Sequence, residues 1–381
     1  MRYTLRHIAL FLLLLTVLAS CRRELWVYTD QIHQAELITN WSKATEKPGG
    51  MTWWFMKNDH TGDYHGTTAD VTHTWLTIPR GVFSGVVFDY SPAEYSHQEF
   101  VGMSDYDEAL VHILPSADQP EPDDELFSDG AVPSNIGGIA RNEDTGMYVV
   151  AAEPEIMNAD TLRNVVITNG DDDILVPWDE YDDIQVDSQD VLTFYAQPEP
   201  IVWKLDIKVY VRGITYMNNV TASVAGLTDG CWLGTLRHTA TPCLQRLDSW
   251  TRHRMANQPD TLGYLTTAIN TFGLQDLDMP RSPYDTRGAD DETRASWDDT
   301  EYNEHLRLNL KFLLRDNKTE LYYHYDVDSQ WITLDEGHLV IAIDIPIEIG
   351  PELPYVEAAD VAGFDATVTP WEDGGTAEPT F

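Results

Sequence analysis

Three stretches of the chain alternate apolar and polar residues with a period of two. Ile201, Trp203, Leu205, Ile207, Val209 and Val211 alternate with Lys204, Asp206 and Lys208. Leu306, Leu308, Leu310, Phe312 and Leu314 do so with Arg307, Asn309 and Lys311, and Leu339, Ile341, Ile343, Ile345, Ile347 and Ile349 form a third series. Successive side chains of an extended strand point to opposite faces, so each series predicts one buried and one wetter sheet face. Pro346 lacks a ladder donor and predicts an edge strand or a bulge in the third series. Shorter strands are expected at 220–224, 231–236 and 320–325. Residues 261–272 form the one segment read as a helix.

The first half has shorter and more aromatic runs. Strands are expected at 25–28, 35–41, 51–56, 72–78, 82–90, 147–152, 161–168 and 191–196, separated by turn residues such as Pro79-Arg80-Gly81. Residues 115–130 are too acidic and proline-rich to fold alone and read as an exposed loop. Gln197-Pro198-Glu199-Pro200 reads as a stiff, extended linker. The expected fold class is therefore all-β, with one antiparallel sandwich over 34–197 and a second over 198–381. The second carries a long acidic loop near 273–304 and a terminal strand at 363–371.

The amino-terminal residues follow a different pattern. Arg2 and Arg6 precede an apolar run over 8–18, broken at Thr16 alone, followed by Leu18-Ala19-Ser20-Cys21. A basic start, a short apolar core and small residues before a cut predict a secretory signal peptide over 1–20. The run is shorter than the ~20 residues an α-helix needs to cross a bilayer. Leu-Ala-Ser-Cys resembles a bacterial lipobox, which implies lipidation of Cys21 and a lipidated tether over 21–33. A single acyl chain holds only marginally, at ~0.8 kcal/mol per buried CH₂, so stable anchoring takes several.

Charge narrows the partners. With 63 acidic and 24 basic residues the formal net charge is −39. Such a chain is repelled by nucleic acid and by anionic lipid, so nucleic acid is excluded and the membrane is reached through lipid alone. With Cys21 assigned to lipid, Cys231 and Cys243 remain as an even pair. They flank a hairpin expected to turn near 237–241, and either a disulfide or two separate buried thiols satisfies them.

Catalytic patterns are missing. The chain has no G-x-S-x-G, H-E-x-x-H or C-x-x-C motif and no glycine loop for phosphate, so it is read as a non-enzyme without cofactor or metal. His60, with Asp59 and Asp63, and the nearby His65 and His73 match no dedicated ligand spacing. Asp171-Asp172-Asp173 offers three carboxylates, whereas Ca²⁺ takes 6–8 oxygens, so a solvated turn competes with weak calcium binding there. Trp53 and Trp54 project to opposite faces of one strand, which puts one in the core and leaves the other as a candidate stacking platform for a sugar.

Three places carry a family likeness: Ile38–Ala44 with Gly50–Phe55 and Leu76–Gly81 leading into Val86-Val87-Phe88; Trp203–Gly213 followed by Asn219–Leu227; and Phe364–Asp373. In these the chain resembles the fimbrillin-class lipoproteins, subunits and anchors of type V pili in Bacteroides-type bacteria, and within them a two-domain family of unknown function. The resemblance implies two tandem transthyretin-like Greek-key sandwiches on an outer-membrane lipid anchor. It implies a role in seating, extending or decorating a filament, with other fimbrial subunits as partners and strand complementation as the means of adhesion and assembly. Stalk subunits of that family are cut after an arginine beyond their first strand. Here no arginine occurs between Arg23 and Arg80, and Lys43, Lys47 and Lys57 are not equivalent to one. The expectation is an anchor or accessory subunit that keeps its first strand. Arg22-Arg23-Glu24 is not the acidic run of a surface-export signal, which leaves the periplasmic and cell-surface faces both open. The alternative is a surface lipoprotein that presents tryptophans to a host or polysaccharide ligand.

Overall fold

The computed structural model describes residues 32–79, 81–122, 124–167, 184–186, 192–275, 300–302, 305–327, 329–335 and 338–359. These are all-β, with a few single-turn 3₁₀ segments and no α-helix among the described residues. Among the described residues eleven strands lie in the first half: β1 (Ile32–Thr39), β2 (Met51–Lys57), β3 (Asp63–Thr68), β4 (His73–Pro79), β5 (Gly81–Asp89), β6 (Gln98–Val101), β7 (Leu110–Ile113), β8 (Asn158–Ile167), β9 (Ile184–Val186), β10 (Leu192–Ala196) and β11 (Glu199–Pro200). Twelve follow: β12 (Trp203–Arg212), β13 (Met217–Thr228), β14 (Gly230–Trp232), β15 (Arg237–His238), β16 (Pro242–Leu247), β17 (Thr251–Arg254), β18 (Leu262–Thr271), β19 (Thr300–Tyr302), β20 (Leu306–Leu314), β21 (Glu320–Val327), β22 (Gln330–Asp335) and β23 (His338–Ile345).

Two sheets make the first sandwich, in the orders β4-β1-β10-β9 and β11-β8-β5-β2-β3. Leu37, Leu76, Ile78 and Phe194 from one meet Phe55, Phe83, Val87 and Leu162 from the other in a single cluster. The second sandwich pairs β17-β18-β12-β23-β22-β19 with β16-β13-β20-β21. Its alternating strands behave as the period of two requires: β12 buries every other residue along its whole length. Trp203, Leu205, Ile207, Leu308, Leu310 and Phe312 are all within 2% of complete burial. A fifth sheet, β15-β14-β7-β6, joins the halves, with Cys231 of β14 opposite Val111 of β7.

Several expectations change. Residues 261–272 are strand, not helix: β18 pairs with β12 from Trp203↔Thr271 to Arg212↔Leu262. Its buried side includes Thr267 and Thr271, two polar residues that hid the alternation. The Thr267 hydroxyl donates to the Ser249 carbonyl at 2.6 Å, which offsets the cost of burying it. Pro346 neither bulges nor edges the third series. It ends β23, a strand flanked on both sides by β12 and β22, and Ile349 lies beyond it, exposed. The expected linker is part of the fold, because Pro198 and Pro200 are buried and Glu199–Pro200 pairs with Ala159 and Asn158 of β8. Residues 147–152 make isolated bridges rather than a strand. Residues 115–130 are not simply an exposed loop: Leu126 and Phe127 are buried in a cluster with Ala225 and Leu244 of the second half, and Ala131 just beyond is buried too. The Ser223 hydroxyl and the Asn309 amide donate to the carbonyls of Leu126 and Ala131 at 2.8 and 2.9 Å. The expected strands at 25–28 and 363–371 and most of the acidic loop near 273–304 lie outside the described residues.

Candidate functional site

The strand nearest the expected tether is an interior strand of its sheet. β1 pairs antiparallel with β4, from Ile32↔Pro79 to Ile38↔His73, and parallel with β10, from Ala35↔Leu192 to Thr39↔Ala196. Ala35 and Leu37 point inward and are fully buried, level with Leu76, Ile78 and Phe194. The Phe55 ring lies 6.1 Å from Phe194 across the core. The chain leaves β1 through Asn40, whose amide donates to Ala196, and Trp41, whose indole donates to Val71. Ladder bonds on both sides and core contacts below therefore hold this strand in place.

The outward face of the same sheet is aromatic. Register places Trp75, Glu36 and Thr193 in one row across β4, β1 and β10, and His73, Ile38 and Tyr195 in the next. Trp75 is 53% and Tyr195 47% exposed. Glu36 is held between them, with Oε1 2.5 Å from His73 Nε2 and Oε2 accepting from the Thr193 hydroxyl at 3.1 Å. The His73 and Trp75 rings meet edge-on at 5.6 Å. This face can bind through aromatic surface and hydrogen bonds.

The tryptophans singled out in sequence are elsewhere. Trp53 and Trp54 do face opposite sides of β2, but both sides are covered, so neither is an exposed platform. Trp53 packs over Gly66 in the first core. Trp54 packs against the second core and stacks on His65 at 4.0 Å, and its indole N–H is buried without a hydrogen-bond partner. The signal for Trp75 was present: with Leu76 and Ile78 inward, the strand's alternation turns Trp75 and Thr77 out.

His60, His65 and His73 stay apart, each beside a different carboxylate, Asp105, Asp63 and Glu36 respectively. Asp59 instead accepts from the Thr61 amide and hydroxyl. Among the described residues no three His, Cys, Asp or Glu side chains converge to hold a metal. Cys231 and Cys243 are free, buried thiols, the second of the two arrangements expected for them. They occupy strands of different sheets, β14 opposite His238 and β16 opposite Leu227, and burial pushes both thiols up. The hairpin between them turns at 233–236, earlier than expected. Cys21 and Asp171-Asp172-Asp173 lie outside the described residues.

Sequence reasoning missed a buried carboxylate near the meeting of the halves. Asp89, at the end of β5, is 1% exposed and accepts from the Asn158 amide at 2.9 Å, the Asn158 Nδ2 at 2.7 Å and the Tyr95 hydroxyl at 2.7 Å. Desolvation outweighs these three donors and pushes its carboxyl up to about 6. A single Asp among 63 acids gives no signal of burial before the fold is known.

Residues 20–248, more than half of the chain, match the model of a family described as a domain of unknown function, DUF5119. The chain belongs to the DUF5119 family. No curated protein matches it. Among solved structures it is similar to a candidate adhesin of Bacteroides ovatus ATCC 8483 at a TM-score of 0.52 and 16% identity, over 89% of this chain and 98% of that one. This DUF5119 chain thus shares the fold of that protein. Looser likenesses run to the fimbrial anchor protein Mfa2 of Porphyromonas gingivalis (TM-score 0.38, 8% identity, 78% of this chain and 83% of that one). A C-terminally truncated tip fimbrial protein Mfa3 of the same organism reaches a TM-score of 0.27 at 12% identity, over 79% of this chain and 82% of that one. At those scores neither likeness carries weight for role.

Proposed function

We propose that this DUF5119 protein is a non-enzymatic, lipid-anchored protein of the outer membrane that serves as an anchor or accessory subunit of a surface filament, working in adhesion and assembly by strand complementation. The observation that carries the reading is the place of β1. The strand that follows the expected lipid site is an interior strand bonded to β4 on one side and β10 on the other. A chain that keeps this strand has a closed groove and an anchored end. A subunit whose corresponding strand is removed would present two ladder edges and an apolar floor to an incoming extended segment, with backbone bonds supplying affinity and alternate side chains the specificity. Fold kinship with a candidate adhesin supports the setting.

Deleting the chain from its native cell should release filaments into the medium. Filaments that remain attached at wild-type density and length would contradict the proposal. Glycan capture through Trp53 and Trp54 has less support, since each is partly buried and packs against a core.

A further inference from the structure

An open cavity of about 760 Å³ lies where residues 129–148 meet β20 and β21. That volume is in the range of small-ligand sites, roughly 300–1,000 Å³. Its polar wall is two arginine–aspartate pairs. Arg307 reaches Asp326 with two parallel bonds, Nε to Oδ1 at 2.7 Å and an Nη to Oδ2 at 3.0 Å, and donates once more to the Gly130 carbonyl at 3.0 Å. Arg141 contacts Asp129 at 2.6 Å, donates to the Gly146 carbonyl at 2.9 Å and lies 3.9 Å over the Tyr148 ring. Ser134 and Asn135 stand exposed on the rim, and Val132 and Ile136 supply an apolar floor.

The charges in this cavity cancel, in a chain whose net charge is −39. An anion would have to compete with Asp129 and Asp326 for guanidinium groups that are already paired. A divalent cation would meet an arginine beside each carboxylate, and the Arg307 bonds hold the Asp326 carboxyl below the usual carboxylate range. A hydroxyl group faces neither obstacle. It donates once and accepts twice, so neighbouring hydroxyls can donate to an aspartate and accept from the arginine beside it. Arg307 uses three of its five N–H groups within the protein, and its clamp fixes the rest before any ligand arrives. C–H faces of a ring would rest on Val132 and Ile136.

We propose that this cavity is a binding site for a neutral carbohydrate chain. The site goes beyond the filament role and does not depend on it. The test uses the full chain purified in a detergent without a sugar head group, titrated calorimetrically with neutral hexasaccharides of glucose, mannose, galactose and xylose, a sulfated heparin-derived hexasaccharide, and CaCl₂. At least one neutral probe should bind. Arg141→Ala should weaken it by about tenfold or more, as expected for losing a hydrogen bond to a charged group, and Asn135→Ala, a neutral side chain at an exposed position, by about twofold to tenfold. Circular dichroism checks that both variants keep their strands. Silence from every neutral probe, binding of only the sulfated probe or only Ca²⁺, or binding unchanged in both variants would overturn the proposal. Cells carrying Arg141→Ala should still retain their filaments, which separates a failure of this site from a failure of the filament reading.

Discussion

Asp89→Asn removes a buried charge while keeping the side chain's size. In the wild type the folded carboxyl titrates near 6 against an ordinary value of 3.8, because burial penalises the charged form more than the three donors favour it. A carboxyl whose folded pKa is raised binds its proton more tightly in the native state. Its contribution to stability is therefore full below about pH 4, falls as pH rises, and is exhausted above about pH 6. At 1.36 kcal/mol per pKa unit the loss across that window is about 3 kcal/mol. Asparagine does not titrate, so the variant lacks this slope. It carries a fixed cost of about 1–3 kcal/mol instead, because its amide must face the Asn158 donors or turn them away. Other carboxylates, such as Asp316 and Asp326, are shifted down and tilt both proteins equally, so they drop out of the difference. Urea unfolding midpoints at pH 4, 5, 6 and 7 and constant ionic strength should show the wild type losing about 3 kcal/mol relative to the variant. Parallel curves, or a wild type that gains on the variant as pH rises, would refute the claim that desolvation outweighs the donors.

Leu310→Ala, at a fully buried position of β20, should cost about 2–5 kcal/mol by urea denaturation. A cost under 1 kcal/mol would contradict the sandwich core. Trp75→Ala and Tyr195→Ala, at half-exposed positions, should each stay within about 1 kcal/mol of wild type. A larger loss would mean that the outer face of the β1 sheet is covered. Cys21→Ser should move the protein from the membrane to the soluble fraction on cell fractionation, whereas unchanged retention would remove the lipid anchor from the account.

The all-β class and the cores of both sandwiches were legible wherever apolar residues recur every second position, as in β12 and β20. Legibility failed where polar residues point inward. Thr267 and Thr271 disguised β18 as a helix because both are polar yet buried, and the Thr267 hydroxyl finds its partner, the Ser249 carbonyl, only in the folded chain. Prolines misled for a related reason. Pro198 and Pro200 look like a spacer in sequence, yet they are buried beside β8. In residues 115–130 the acids masked Leu126 and Phe127, whose burial depends on Ser223 and Arg246 roughly a hundred residues later. The candidate cavity was invisible for the same reason: Arg141 and Arg307 are brought to one wall only by that docking. Trp53 and Trp54 drew notice as a pair, but composition alone does not reveal that β2 is covered on both faces.

The central claim is that the amino-terminal strand stays in its sheet and the lipid stays attached ahead of it. Intact-mass spectrometry of the protein isolated from its native membrane tests both at once. The account predicts a single mature species beginning at a lipidated Cys21. A species lacking the first ~30 residues, the scale of a leader with the start of a strand, would contradict it.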